Sequence, residues 1–338
     1  MTSAAVDPEH AATHNVEVDT AAIGSDSDSA YDEGELKSYT TSLASSVLNF
    51  PVEHGRRYHK FREGSYNFPN DEKEQDRLDF MSYITRLMTD GKLHQTPFPK
   101  SAPPKRILDV GTGTGIWAID AAEEYPDAEV TGNDLSPIQP KWVPPNVQFE
   151  VDDVESEWAP RAAPYDFVFA RYLAGSIKDW PRLVGQIHRN TRPGGWVEFQ
   201  DYAAPYSQGG AARPDSPFFR MYDLLTQVIG KMGREMWPGP KLEGWVKDAG
   251  FTNVTHKVFK LPIGAWPKDP TLKYVGGLNL VQFLEGCEAY IIGPFTRGLG
   301  WTMDECQVLL AQVRDDVKKK NVYYLADYHV VYAQRPPE

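Results

Sequence analysis

Three glycines separated by single residues follow a short apolar run, and an aspartate precedes them. Residues 107–116 read Ile-Leu-Asp-Val-Gly-Thr-Gly-Thr-Gly-Ile. Glycines in such a loop let the backbone turn tightly and approach a ligand, because they carry no Cβ. The G-x-G-x-G spacing differs from the G-x-G-x-x-G of dinucleotide sites, and the loop lacks the Gly-Lys-Ser/Thr ending of a phosphate-binding loop.

The charge of Asp109 indicates which ligand this loop accepts. A carboxylate repels a pyrophosphate, whereas it attracts and orients a ligand that carries an α-amino group. S-adenosylmethionine is such a ligand, since it has both an ammonium and a sulfonium group. The loop and its aspartate therefore predict a site for S-adenosylmethionine.

Acidic residues at the ends of the next two predicted strands extend this site to a whole nucleoside. Asp134 ends the second strand, where a carboxylate can accept hydrogen bonds from the two ribose hydroxyls. Asp153 follows the third strand, where it can accept a hydrogen bond from an adenine amino group. The order of these features along the chain supports the same cofactor.

Alternating strands and helices position these side chains. Strands are predicted at residues 106–110, 129–135, 147–151, 165–171, 196–201, 254–261 and 323–333, and helices at 114–124, 180–189, 218–232, 242–248 and 304–319. This alternation is typical of an α/β protein with a parallel sheet covered on both faces.

The remaining segments predict the domain organisation. Residues 1–50 read as a disordered acidic tail, because they offer little to bury. Residues 51–100 read as an N-terminal helical cap, with one helix at 71–89. The main domain covers residues 101–338 and contains a helical insertion at about 263–320.

Composition excludes several classes of protein. The chain has 338 residues and a formal net charge of −12, which opposes direct binding to nucleic acid. The two cysteines and the absence of a signal peptide predict an intracellular protein, in the cytoplasm, the nucleus or both. The apolar stretch 275–295 contains Gln282, Glu285 and Glu288, so no membrane span is expected. The eight histidines do not cluster with other ligands, so no metal site is predicted.

Several longer motifs resemble a known family. Residues 108–115, Leu-Asp-Val-Gly-Thr-Gly-Thr-Gly, resemble the cofactor motif of class I methyltransferases. Residues 63–78, 134–140, 175–180 and 295–301 resemble the signature of the fungal LaeA-like, velvet-associated methyltransferases. The resemblance covers roughly residues 50–335.

The resemblance implies a Rossmann-like, seven-stranded sheet with a reversed last strand. It also implies roles for the cofactor residues: the methionine part is held by Asp109, Gly111, Gly113 and Gly115, the ribose by Asp134 and the adenine by Asp153. We add to the cofactor site four residues near these positions or at strand ends: Thr112, Leu135, Val154 and Arg171.

The cap and the strand ends supply further candidates. Tyr58 and Tyr66 either cover the cofactor or pack the cap helix onto the sheet. The ends of strands four and five place four residues near the acceptor: Arg171, Tyr172, Asp201 and Tyr202. Aromatic residues of the insertion, Tyr290 among them, either roof the pocket or pack the core. No catalytic base is assigned.

The resemblance leaves the function open between two classes. We expect an S-adenosylmethionine-dependent methyltransferase of fungal secondary metabolism that acts on a small-molecule acceptor. The alternative is a LaeA-like nuclear regulator that acts on or through protein partners, such as velvet-type proteins. A cofactor-binding module without catalysis is a third reading.

Overall fold

The computed structural model describes residues 50–62, 66–158, 163–210, 213–319 and 321–337. The acidic tail predicted at residues 1–50 therefore lies outside the described residues, apart from Phe50. All the described residues belong to one unit of the chain, which spans Leu43–Glu338.

The secondary structure follows the alternation predicted from the sequence. The strands are β1 (Val52–Glu53), β2 (Arg56–Arg57), β3 (Arg106–Val110), β4 (Glu129–Asp134), β5 (Val147–Val151), β6 (Tyr165–Arg171), β7 (Thr191–Tyr202), β8 (Tyr206–Gly210), β9 (Thr252–Ile263) and β10 (Val322–Gln334). The helices are α1 (Glu72–Met88), α2 (Ile116–Glu124), α3 (Trp180–Asn190), α4 (Pro217–Lys231), α5 (Leu242–Asp248), α6 (Pro270–Leu299) and α7 (Met303–Val317), with a 3₁₀ helix at Gly239–Lys241.

The main sheet has the strand order β5-β4-β3-β6-β7-β10, and both β8 and β9 pair with β10. Strands β3 to β7 run parallel, whereas β10 runs antiparallel to β7, with Tyr328 opposite Tyr202. The predicted α/β fold with a reversed last strand is confirmed.

Strand β8 was not predicted from the sequence. Its residues, Tyr-Ser-Gln-Gly-Gly, include two glycines and no aliphatic side chain, so they lack the alternation typical of a strand. The strand pairs with the first part of β10, at Val322, Tyr324 and Leu325. The partner strand therefore determines its conformation.

Asp71, the N-cap residue of α1, bonds both to the helix and to the strand before it. The Asp71 side chain accepts a hydrogen bond from the Glu74 backbone N–H at 3.1 Å, as an N-cap residue does. The same carboxylate accepts from Arg56 Nε at 2.6 Å. Strand β2 and α1 are thereby held together ahead of the sheet.

Helix α6 packs against α1, α4, α7 and β9. The approach to α1 is close at Gly286, where a Cβ atom would lie 2.3 Å from Cδ of Arg77. Arg77 of α1 therefore lies directly against α6. Among the described helices, none has both the length and the apolar character needed to cross a membrane.

The boundaries between cap, main domain and insertion stay predictions. The predicted cap helix at residues 71–89 corresponds to α1, and α6 and α7 fall within residues 263–320. We retain the three-part division as a proposal about how the chain is organised.

A buried carboxylate joins the cap to the sheet. Glu198 of β7 is fully buried and accepts hydrogen bonds from the backbone N–H groups of Gln95 and Thr96 at 2.7–2.9 Å. It also accepts from the Thr96 hydroxyl and from Gln200 Nε2, each at 2.6 Å. The connection from α1 to β3 is thus attached to the strand that leads to Tyr202.

We expect Glu198→Ala to lower the free energy of unfolding by about 3 kcal/mol, because it leaves buried backbone donors without acceptors. Urea denaturation measures the change. Glu129→Ala, which removes a carboxylate with a side-chain exposure of 78 % at the start of β4, is the control and should change stability by less than about 0.5 kcal/mol. Equal effects of the two substitutions would contradict this account of Glu198.

Candidate functional site

A cavity of about 160 Å³ lies where the carboxyl ends of β3, β4 and β6 meet, beneath α1 and the segment before it. Ligands of open α/β sheets bind at this end of the strands. Ten of the twelve predicted cofactor residues line the cavity: Tyr66, Asp109, Gly111, Thr112, Gly113, Asp134, Leu135, Asp153, Val154 and Arg171. The structure therefore brings together side chains that lie far apart in sequence.

The glycine loop is held against β4 by hydrogen bonds. The Gly113 N–H donates to Asp134 Oδ2 at 2.9 Å, and the Thr112 N–H donates to the Asn133 carbonyl at 2.8 Å. Gly113 has a φ of +57°, and a Cβ atom there would meet nothing within 4 Å. The loop consequently leaves open space at Gly113.

Asp109 is one of the buried acids of the cavity. Its side chain is 3 % exposed, and Oδ2 accepts a hydrogen bond from the Thr112 hydroxyl at 2.6 Å. Burial raises the pKa of Asp109 to about 7, although the Thr112 hydroxyl and the charge of Arg171 act in the opposite direction. A buried carboxylate in this condition favours a cationic partner.

Both oxygens of Asp134 face backbone donors. Oδ2 accepts from Gly113 N–H and Oδ1 accepts from Ser136 N–H, each at 2.9 Å. Burial raises the pKa of Asp134, and these backbone hydrogen bonds oppose the shift. Each carboxylate oxygen retains a second lone pair, so the group can still accept from two hydroxyls of a ligand.

Asp153 also lines the cavity. Oδ1 accepts from the Glu155 N–H at 3.0 Å, and Oδ2 lies 3.6 Å from Nε of Arg62. Leu135 and Val154 line the cavity close to the two acids in sequence. The three carboxylates thus lie at or just after the carboxyl ends of β3, β4 and β5, which are neighbours in the sheet.

Arg171 supplies the opposite charge. It ends β6, and its Nη2 donates to the Ser82 hydroxyl of α1 at 2.9 Å. The positive charge of Arg171 also opposes the rise in the pKa of Asp109 that burial causes. A guanidinium and a carboxylate at one end of a cavity suit a ligand that is both an anion and a cation, such as an α-amino acid.

Two predicted cofactor residues do not line the cavity. Gly115 is the N-cap residue of α2, and a Cβ atom there would lie 2.4 Å from the Phe149 ring, so the glycine permits helix–strand packing instead. Tyr58 is 3 % exposed, and the guanidinium of Arg297 stands 4.4 Å from its ring centre. For Tyr58 the structure favours the packing alternative.

Asp201, which was predicted to lie near the acceptor, hydrogen-bonds to backbone groups. Its carboxylate accepts from the backbone N–H groups of Leu173 and Tyr202, each at 2.8 Å. Burial raises the pKa of Asp201 to about 7, against the effect of these backbone donors. The residue shapes the turn after β6 and does not line either cavity.

The cap contributes cavity residues that the sequence reasoning missed. They are Asn70, Glu74, Gln75, Leu78 and Ser82, among others. The Asn70 amide donates to the Ser136 hydroxyl at 3.3 Å, and the Thr114 hydroxyl donates to Asp79 at 2.5 Å. Most of these residues fall within the motif at residues 63–78, which was the available signal.

A second cavity adjoins the first and shares four lining residues with it: Tyr66, Met81, Tyr172 and Tyr202. We call it the aromatic chamber. Its volume is about 90 Å³, and its remaining aromatic lining residues are Phe68, Tyr222, Trp237, Phe283 and Tyr290. Tyr172 has a φ of +61°, a strained backbone conformation that clusters at functional sites.

Comparison with known proteins identifies the family of the chain. A family model described as a methyltransferase domain matches residues 80–256. Methyltransferase pytC of Aspergillus terreus is 47 % identical over 96 % of this chain and 97 % of its own length. Secondary metabolism regulator LAE1 of Cochliobolus heterostrophus is 35 % identical over 85 % of this chain and 95 % of its own length. Protein-methionine methyltransferase laeA of Emericella nidulans is 34 % identical over 85 % of this chain and 77 % of its own length.

The fold and the similarities define the class of protein as a methyltransferase. The chain belongs to the LaeA-like methyltransferases of fungi, and its cofactor is S-adenosylmethionine. The predictions of family, enzyme class and cofactor are confirmed.

The raised pKa of Asp109 predicts a pH-dependent stability. That pKa is about 7 in the folded protein, whereas an aspartate of an unfolded chain titrates near about 3.9. Between these values the folded state binds more protons, so the free energy of unfolding falls as the pH rises. We expect Asp109 to contribute a fall of about 2 kcal/mol from about pH 5 to about pH 7.

Asp109→Asn should remove this contribution and leave a flatter profile. The measurement is urea denaturation of both proteins across that pH range, without added cofactor. Asp127→Asn, at an aspartate with a side-chain exposure of 85 %, should retain the wild-type slope. An Asp109→Asn profile parallel to that of the wild type would show that Asp109 does not titrate in this way.

Proposed function

We propose that this methyltransferase transfers a methyl group to a small-molecule acceptor of fungal secondary metabolism, held in the aromatic chamber. The observation that carries the proposal is the pair of adjoining cavities, which share Tyr66, Met81, Tyr172 and Tyr202. One cavity has the charges that suit the cofactor, and the other is mainly aromatic. A methyl group at their junction would face an acceptor in the chamber.

The residues of the first cavity fit S-adenosylmethionine. Asp109 would hold the ammonium and Arg171 the carboxylate of the methionine part, beside Gly111, Thr112 and Gly113. Asp134 would accept from the ribose hydroxyls. Asp153 would accept from the adenine amino group, with Leu135 and Val154 against the ring. This assignment rests on the lining of the cavity and on the donor and acceptor chemistry of each side chain.

The bound cofactor supplies an electrophilic methyl group on a positively charged sulfur. The chain supplies position: alignment of two reactants can contribute roughly 7–11 kcal/mol to lowering the barrier. The rings of Tyr66 and Tyr172 line both cavities, so their faces can stabilise the sulfonium by about 0.5–2 kcal/mol. The cap over both cavities would keep water from the reaction.

A protein acceptor is the second candidate. The relative from Emericella nidulans is named a protein-methionine methyltransferase, and another is named a secondary metabolism regulator. Action on or through velvet-type partners would fit those names. The aromatic chamber favours the small molecule, because its lining residues Phe68 and Phe283 are buried and a folded protein surface would not reach them.

We also propose an intracellular location, in the cytoplasm, the nucleus or both. Cys287 and Cys306 are both buried and unpaired, which is the usual state of cysteines in a reducing compartment.

Labelled methyl transfer tests the proposed function. The full-length protein is incubated with methyl-labelled S-adenosylmethionine and a metabolite extract. The extract comes from a strain of the source fungus in which the gene has been deleted. We expect the label in one discrete small molecule, because the aromatic chamber accepts a flat apolar compound. Label found only in protein would overturn the proposal and favour the second candidate.

Asp134→Asn is the variant that connects this activity to the cavity. Loss of one charged acceptor at the ribose costs about 1.5–3 kcal/mol, which corresponds to roughly 10- to 150-fold weaker cofactor binding. Titration calorimetry with S-adenosylhomocysteine measures the dissociation constant. Asp127→Asn removes the same charge from an exposed position and should bind like the wild type.

A further inference from the structure

The aromatic chamber has no net fixed charge. Arg77 is the charged residue among its described lining residues, and its side chain is 4 % exposed. Glu74 neutralises it through two hydrogen bonds, from Nη2 at 2.6 Å and from Nε at 3.0 Å. A charged acceptor would lose its hydration here without gaining a counterion. The chamber therefore favours an uncharged molecule.

Two tyrosine hydroxyls in the chamber leave one proton without an acceptor. Arg77 Nη1 donates to Tyr172 at 3.4 Å and to Tyr290 at 3.2 Å, and the two hydroxyls lie 3.0 Å apart. One hydroxyl donates to the other, so one of the two protons remains. Within the described part of the chain it meets no acceptor. Burial raises the pKa of Tyr290 well above its ordinary value, which keeps this hydroxyl protonated.

Gln282 places a hydrogen-bond acceptor without a donor in the same chamber. Its side chain lines the chamber from α6 and is 4 % exposed. Its Oε1 atom is buried and has no hydrogen-bond partner among the described residues. An unpaired buried acceptor costs about 1–3 kcal/mol. A ligand with an O–H or N–H group would remove that cost.

We propose that the acceptor is a flat, uncharged phenol or enol, bound between Gln282 and the Tyr172–Tyr290 pair. This inference rests on the proposed function and names its substrate class. The acceptor oxygen accepts a hydrogen bond from the tyrosine hydroxyl whose proton is free. A second polar group of the acceptor donates a hydrogen bond to Gln282 Oε1. The aromatic rings of the chamber cover the faces of the flat molecule.

The reaction is then an O-methylation. The acceptor oxygen forms the new bond to the methyl carbon, the sulfur–methyl bond breaks with its electron pair passing to sulfur, and the acceptor proton leaves to solvent. Tyr172 lies where the two cavities meet. A hydrogen bond from the tyrosine pair would lower the pKa of the acceptor hydroxyl, so an acidic hydroxyl can react without a dedicated base.

Binding of three related probes tests this substrate class. Dihydroxynaphthalene, dimethoxynaphthalene and hydroxynaphthoate are titrated calorimetrically into full-length protein saturated with S-adenosylhomocysteine. We expect dihydroxynaphthalene to bind at least about tenfold more tightly than either of the others, because one lacks donors and the other is an anion. No such preference, or no binding of dihydroxynaphthalene, would overturn the inference.

Gln282→Leu tests whether Gln282 contributes to the binding preference for dihydroxynaphthalene. It should reduce the preference for dihydroxynaphthalene over dimethoxynaphthalene by about threefold to tenfold. The melting temperature should not fall, because the substitution removes an unpaired buried group. Gln307→Leu, at an exposed glutamine of α7, is the control and should keep the preference. An unchanged preference in Gln282→Leu would contradict the role of Gln282.

Failure of the proposed substrate class and failure of the proposed cofactor site give different results. Wild-type protein that binds S-adenosylhomocysteine but does not distinguish the probes contradicts only the substrate class. Wild-type protein that does not bind S-adenosylhomocysteine contradicts the cofactor assignment, on which the substrate class depends.

Discussion

The hydrogen bond from the Gly113 N–H to Asp134 joins two parts of the cavity that we propose holds the cofactor. It ties the loop after β3 to the end of β4 at 2.9 Å. Without it, the carboxylate would lose a donor that offsets part of its burial, and the loop would lose one of the hydrogen bonds that hold it against β4. The same arrangement keeps Asp109 behind the loop, where burial raises its pKa to about 7. The cavity therefore combines an open backbone with acids that favour a cation.

The cap completes the site from the other side. Asn70 and Asp79 bond to residues of the loops after β4 and β3, and Arg171 bonds back to Ser82 of α1. Helix α1 also carries Arg77, which faces the aromatic chamber. A single helix thus lines the first cavity and organises the polar groups of the neighbouring chamber. This explains why the two cavities share a wall.

Local patterns in the sequence predicted the sheet and most of the residues that line the first cavity. The apolar run of β3 leads into the glycine loop, Asp134 ends β4 and Asp153 follows β5, so these features are visible as short-range signals. Strand β8 had no such signal, because its pairing with β10 comes from distant residues. The packing of Tyr58 against Arg297 was hidden for the same reason.

The aromatic chamber could not be predicted from the sequence. The hydroxyls of Tyr172 and Tyr290 lie 3.0 Å apart although 118 positions separate them. Their contact depends on how α6 packs on α1, which the close approach at Gly286 permits. The sequence placed Tyr172 at a strand end and Tyr290 on a helix, but no local pattern indicated that both bond to Arg77.

A crystal structure of the complex with S-adenosylhomocysteine tests the central claim most directly. The account predicts the amino group beside Asp109, the ribose hydroxyls on Asp134, and the sulfur at the junction where Tyr66 and Tyr172 line both cavities. Binding elsewhere, or a sulfur that points away from the aromatic chamber, would contradict it.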